Sequence, residues 1–207
     1  MNDPKEQLLI IFTRNIVLGK CKTRLAKTVG PQLALDIYKF LVEHTVKISS
    51  DVNVTRWVFY SDEIEENDLF DTGEYSKHMQ QGDDLGSRMF HAISAGFEAG
   101  FSRVIIIGSD IYDLESRDLE EAFDTLNTHD YVIGPAQDGG YYLLGMKKAS
   151  RDIFVDKSWG TNSVLQDTLK DLEGKDVKLL DTRNDVDVYE DIETAPAFQR
   201  FLKNVNE

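Results

Sequence analysis

The stretch Val104-Ile105-Ile106-Ile107-Gly108-Ser109-Asp110 decides the fold. Four unbroken β-branched residues suit a strand buried on both faces, the kind found in a parallel sheet covered by helices on each side. In such sheets ligands sit beyond the carboxyl ends of the strands, where Gly108, Ser109 and Asp110 fall. An aspartate at that position is expensive to desolvate and needs a cation or strong hydrogen bonds. Two readings stand side by side: Asp110 is a metal ligand, or it caps the turn that follows.

Outward from this strand the same alternation continues. Upstream, Gln7 to Phe12 reads as a buried strand and Pro31 to Ser49 as a helix with Leu33, Ile37, Phe40, Leu41 and Val46 on one face. Val54 to Tyr60 is a second strand, followed by an acidic loop (Asp62, Glu63, Glu65, Glu66, Asp68) and a helix from about Leu85 to Ala99. Downstream, helices are expected at Glu115 to Leu126, Asn162 to Leu172 and Ile192 to Asn204, and strands at Tyr131 to Ile133, Tyr141 to Leu144 and Val177 to Leu180. This order predicts a three-layer α/β/α fold with a mostly parallel mixed sheet, spanning residues 1–207 as one domain.

Composition narrows the function. The 207 residues are 41% hydrophobic and 29% charged with 4 Pro and 14 Gly, ordinary values for a globular chain. No apolar run approaches the roughly 20 residues of a membrane helix. The start, Met1 to Glu6, carries acids where a secretory leader would be basic, so the expected address is the cytoplasm. The single cysteine, Cys21, cannot form an internal disulfide, and His44, His78, His91 and His129 lack metal-ligand spacing. A net charge of −14 argues against nonspecific nucleic-acid binding.

Against that acidic background, no acid occurs from Gln7 to Leu35, whereas Arg14, Lys20, Lys22, Arg24 and Lys27 crowd together. The loop Thr13 to Leu25 therefore reads as a phosphate cradle, with Gly19 admitting backbone amides and the Arg24 fork holding two oxygens; the alternative is a solvated basic loop. It is not the common P-loop, which needs Gly at 14 and Ser or Thr at 21. Cys21 is a nucleophile among cations or, with no histidine beside it in sequence, a bystander thiol. In Gly134-Pro135-Ala136-Gln137-Asp138-Gly139-Gly140-Tyr141-Tyr142 a tight hairpin accounts for Asp138-Gly139, while Gly134 and the second glycine suggest backbone very close to a ligand. Late acids gather at Asp185, Asp187, Glu190 and Asp191; Asp110 with Asp185 or Asp187 suffices for Mg²⁺, which is commonly held by one or two carboxylates and substrate phosphates.

Several motifs occur together in one order: Lys22-Thr23-Arg24-Leu25, Gly82-Asp83-Asp84-Leu85-Gly86-Ser87-Arg88-Met89, Ile107-Gly108-Ser109-Asp110, Asp138-Gly139-Gly140-Tyr141-Tyr142, Trp159-Gly160-Thr161 and Asp185-Val186-Asp187. From about Leu8 to Asp191 the chain resembles the bacterial DUF2064 proteins, often labelled glycosyltransferases and related to guanylyltransferases and molybdenum-cofactor nucleotidyltransferases. The resemblance implies the nucleotide-diphospho-sugar transferase (GT-A) fold. It also implies Mg²⁺ or Mn²⁺ on Asp110 and Asp187, with Asp185 beside them. It would place the Lys22-Thr23-Arg24 loop on nucleotide phosphates and the Asp84-Leu85-Gly86 turn near base or ribose; the residues themselves add Arg14, Gly19 and Lys20 to the phosphate cradle and Gly139 and Gly140 as candidate nucleotide contacts. The family usually has Lys at 14 and Pro at 16, 18 and 112; Arg14, Ile16, Leu18 and Tyr112 stand here, so preset φ angles are lost and the charge at 14 is kept in another shape.

The leading expectation is nucleotidyl transfer from a nucleoside triphosphate to a phosphorylated acceptor, with Lys22 and Arg24 neutralising charge. Glycosyl transfer from a nucleotide sugar to a small-molecule acceptor, with Asp138 as base, is the alternative. An inactive nucleotide-binding module is the third.

Overall fold

The computed structural model describes residues 6–203. Seven strands form one sheet in the order β3-β2-β1-β4-β6-β5-β7. They are β1 (Gln7–Thr13), β2 (Thr55–Tyr60), β3 (Tyr75–Met79), β4 (Arg103–Ile107), β5 (Tyr131–Pro135), β6 (Tyr141–Met146) and β7 (Val177–Leu179). β6 runs antiparallel to both of its neighbours, and every other pair is parallel.

Helices cover both faces: α1 (Thr23–Val29), α2 (Pro31–Ser50), α3 (Leu85–Glu98), α4 (Ser116–Thr125), α5 (Val164–Asp171) and the short α6 (Gln199–Leu202). The two-residue period of the strands divides the core between them. Leu9, Ile11, Ile105 and Ile107 pack with Tyr38 and Val42 of α2 and Phe123 of α4. Leu8, Ile10, Val104 and Ile106 face the other way, onto Met89 and Ile93 of α3. Every residue of β4 is buried, as its β-branched run predicts. Among the described residues no helix is long and apolar enough to cross a membrane.

Three elements differ from the sequence expectation. The basic loop ends early, because Thr23 starts helix α1, which buries only Leu25 and has no side-chain cap. The edge strand β3 escapes the pattern because Tyr75 alone of its five residues is buried. The closing helix breaks into 3₁₀ turns at Tyr189–Asp191 and Pro196–Phe198 before α6, since Pro196 holds Ala195 extended. Its expected end at Asn204, like the Met1 to Pro4 start and Lys5, lies outside the described residues.

Because β1, β2, β3 and β4 are parallel, their carboxyl ends meet on one edge of the sheet. The chain leaves them at Arg14, Ser61, Gln80 and Gly108, and all four residues line one cavity.

Candidate functional site

That cavity, about 580 Å³, is ringed by Arg14, Lys20, Lys22, Arg24 and Arg88, with Asp110 and Asp187 as its acids. Its floor is built on Tyr38 of α2. The buried Tyr38 hydroxyl accepts the Arg14 amide at 2.8 Å and lies 3.1 Å from Thr13 Oγ1 and 3.0 Å from Ser109 Oγ. One phenol thus joins the exits of β1 and β4, and its burial raises its pKa. The helix pattern gives no hint of this role, since Tyr38 reads as one more core aromatic.

Lys22 sits at the N-terminal boundary of α1 with φ 46 and ψ 48, a left-handed conformation uncommon for a residue with a side chain. That strained backbone aims a side chain only 7% exposed at two carboxylates: Nζ is 3.1 Å from Asp110 Oδ2 and 3.9 Å from Asp187 Oδ1. Burial acts to lower the ammonium's pKa; the charge of Asp110, its hydrogen bond and Asp187 outweigh it, and the pKa stands above its ordinary value. Arg24 reaches Asp187 from the solvent side at 2.6 Å.

The late acids arrive by backbone pairing. Arg183 N–H donates to Pro135 O at 3.0 Å and Val186 N–H to Asp110 O at 3.0 Å, which lays Asp187 beside Asp110. Asp191 holds this turn, accepting the amides of Asp187 and Val188 at 2.7 Å each. Its carboxylate is a structural clasp, neither ligand nor idle surface charge.

A second cavity, about 200 Å³, shares Leu85, Gly108 and Asp110 with the first and contains Asp138, Asp185, Tyr141 and Trp159. No lysine, arginine or histidine is among the described residues that line it. Burial, then the charges of Asp138 and Asp110, push the Asp185 carboxyl up to about 6. Asp185 therefore keeps company with Asp138, and among the described residues no group of three or more acids, histidines or cysteines is placed to hold one metal ion.

Several sequence-selected residues have other structural work. The Asp84 carboxylate caps α3, accepting Ser87 N–H at 2.7 Å while Ser87 Oγ accepts the Asp84 amide, and these bonds lower its pKa. Asp84 is not among the residues lining either cavity, whereas Leu85 lines both. Gly86 makes room for the chain itself: a Cβ there would lie 2.7 Å from the Trp159 ring and 2.4 Å from Phe154 O. Gly134 does the same for the Tyr142 ring, at 2.3 Å, and Gly139 (φ +90) for the backbone of Asn162, also at 2.3 Å. The close approach expected at Gly134 is real, and its partner is protein. Gly140 lines the second cavity; Gly19 forms an exposed turn outside the first. Thr23 lines the first cavity. Cys21 is buried, donates to Asn15 O at 3.0 Å and has its pKa raised by burial, which fits a bystander thiol. Tyr112, where the family usually has proline, stacks between Phe40 and Phe198, each centroid 5.1 Å away, and ties the C-terminal segment to α2.

Two carboxylates from distant segments already contact one cation, the Lys22 ammonium, on the rim of a basic cavity. This donor set fits a divalent ion that completes its shell with phosphate oxygens and water.

Comparison with known proteins agrees with the fold. Residues 45–161 match a family model described as uncharacterized protein conserved in bacteria (DUF2064). No curated protein matches in sequence. A candidate nucleotide-diphospho-sugar transferase from Desulfovibrio desulfuricans G20 is 31% identical, with a TM-score of 0.84 over 95% of this chain and 91% of that one. At 13% identity, a 4-diphosphocytidyl-2C-methyl-D-erythritol synthase from Anaerococcus prevotii shares the fold with a TM-score of 0.64 over 96% of this chain and 100% of its own. A CMP:2-keto-3-deoxy-manno-octonic acid synthetase solved with CTP, 12% identical, shares it at 0.58 over 95% and 99%.

Proposed function

The chain belongs to the DUF2064 family, and from that premise we propose that it is a metal-dependent glycosyltransferase, acting as one domain, which takes a nucleotide sugar in the basic cavity and an acceptor hydroxyl in the acidic one. The observation that carries this reading is that the two cavities meet at Asp110 with opposite chemistry. Cations suit a nucleoside diphosphate. Asp138, in a cavity that no cationic side chain lines, suits removal of a proton from a hydroxyl, and the acids around it disfavour an acceptor that brings its own phosphate.

Arg14, Lys20, Lys22 and Arg24 bind the phosphates. Asp110 and Asp187 would hold Mg²⁺ or Mn²⁺, which when bound neutralises the leaving diphosphate. Asp138, one of whose oxygens accepts Gly140 N–H at 2.8 Å, takes the acceptor proton on its second oxygen. The proton passes to Asp138 as the acceptor oxygen bonds to the sugar's anomeric carbon. The bond from that carbon to the diphosphate breaks, and its electron pair leaves on the phosphate oxygen. Nucleoside diphosphate and glycosylated acceptor are the products, and catalysis is mostly positioning and electrostatics.

Nucleotidyl transfer from a triphosphate is the second reading, and the number of cations around the first cavity favours it. Phosphorus NMR of reaction mixtures with metal separates the two. Nucleoside diphosphate from a nucleotide sugar supports glycosyl transfer; pyrophosphate from a triphosphate supports nucleotidyl transfer. Turnover of neither donor class defeats both.

A further inference from the structure

The second cavity carries more than a general base. The hairpin that bears Asp138 is fastened to the segment that bears Trp159, because Leu165 N–H donates to Gly139 O at 2.9 Å and Gly139 lies flush on Asn162. The missing side chain at Gly86 lets the Trp159 indole settle on the first turn of α3. Tyr141 stands edge-on to it, with ring centroids 6.4 Å apart and planes at 85°. Among the described residues the indole N–H of Trp159 has no protein acceptor. Asp138 and Asp185 line the same cavity as the two rings.

We infer that this cavity binds the acceptor as a single sugar ring that carries no phosphate, its apolar face laid on Trp159 and its hydroxyls bonded to Asp138 and Asp185. The inference rests on the transferase reading above and adds the acceptor's class. Three observations support it. Polar groups that fix orientation are few and lie among apolar and aromatic walls, the usual make-up of a small-molecule site. Asp138 and Asp185 can accept hydrogen bonds from hydroxyls, and in a cavity that no cationic side chain lines they repel a phosphate. A cavity of about 200 Å³ has room for one sugar ring.

The chain has 2 tryptophans, Trp57 and Trp159, so Trp57→Phe leaves Trp159 as the sole indole reporter. This variant is titrated with glucose, galactose and N-acetylglucosamine, with glucose 6-phosphate, and with glucosamine as a cationic analogue, in the presence of Mn²⁺ and a nucleoside diphosphate. At least one of the sugars without phosphate, glucosamine included, is expected to change the emission saturably and to bind about tenfold more tightly than glucose 6-phosphate. Calorimetry on Trp159→Phe in the otherwise unchanged chain should show neutral-sugar affinity reduced about 3- to 10-fold with nucleotide affinity retained. Tighter binding of glucose 6-phosphate, or no binding of any sugar without phosphate by a protein that binds nucleotide, overturns the acceptor inference and leaves the donor reading intact. Failure to bind any nucleotide counts against the transferase reading instead.

Discussion

The Lys22 ammonium lies 3.1 Å from Asp110 although 88 positions separate the two residues, and the same nitrogen faces Asp187. An internal cation thus holds together the two carboxylates expected to share an external one. Lys22→Met leaves those acids facing each other with nothing between them. Asp110 and Asp187 are about one-third exposed, so water screens part of the repulsion, and a loss of about 1–3 kcal/mol is expected in denaturant unfolding. Adding Asp110→Asn should restore part of it, a non-additivity that a double-mutant cycle measures directly.

Asp84→Ala separates a helix cap from a nucleotide contact. Loss of the Asp84–Ser87 capping box should lower the melting temperature. Nucleotide affinity by calorimetry should change by less than about twofold, because Asp84 is absent from the lining of both cavities.

Gly86→Ala tests the seat of Trp159. The new methyl group meets Phe154 O and the indole, which must move. Overpacking of this kind costs about 1–3 kcal/mol, more than the gain in helix propensity that alanine brings. A shifted tryptophan emission maximum alongside the lower melting temperature is the expected pair of observations.

His78 supplies the pH prediction. Its ring lies between Trp57 and Phe59, with centroids 4.7 and 4.9 Å away, and burial lowers its pKa from 6.5. The unfolded chain therefore takes up this proton at a higher pH than the folded one. The stability contributed by His78 is fully present above about pH 6.5 and is lost as pH falls toward the folded value. His78→Leu should flatten that part of the melting-temperature profile between pH 7 and 5 and leave the alkaline side unchanged.

Strands buried on both faces announced themselves: β1 and β4 are continuous apolar runs, and the loops after them carry the site's cations and Asp110. Elements with little burial did not. Helix α1 buries one residue, and β3 is a polar edge strand. The same limit applies within the site. The sequence singles out Gly134 as needing room, but whether a ligand or the Tyr142 ring fills it depends on how the chain folds back on itself. Tyr38 was invisible as a hub for the same reason: its partners Thr13 and Ser109 lie 25 and 71 positions away.

The most direct test of the shared site is calorimetric titration of nucleoside diphosphates and nucleotide sugars into the wild-type chain, Asp110→Asn and Asp187→Asn, with and without Mn²⁺. At least one compound should bind the wild type with metal and bind about tenfold more weakly, or worse, when either the metal or either carboxylate is removed. Wild-type affinity in both variants, or no binding by any compound with metal present, would contradict a donor site at Asp110 and Asp187.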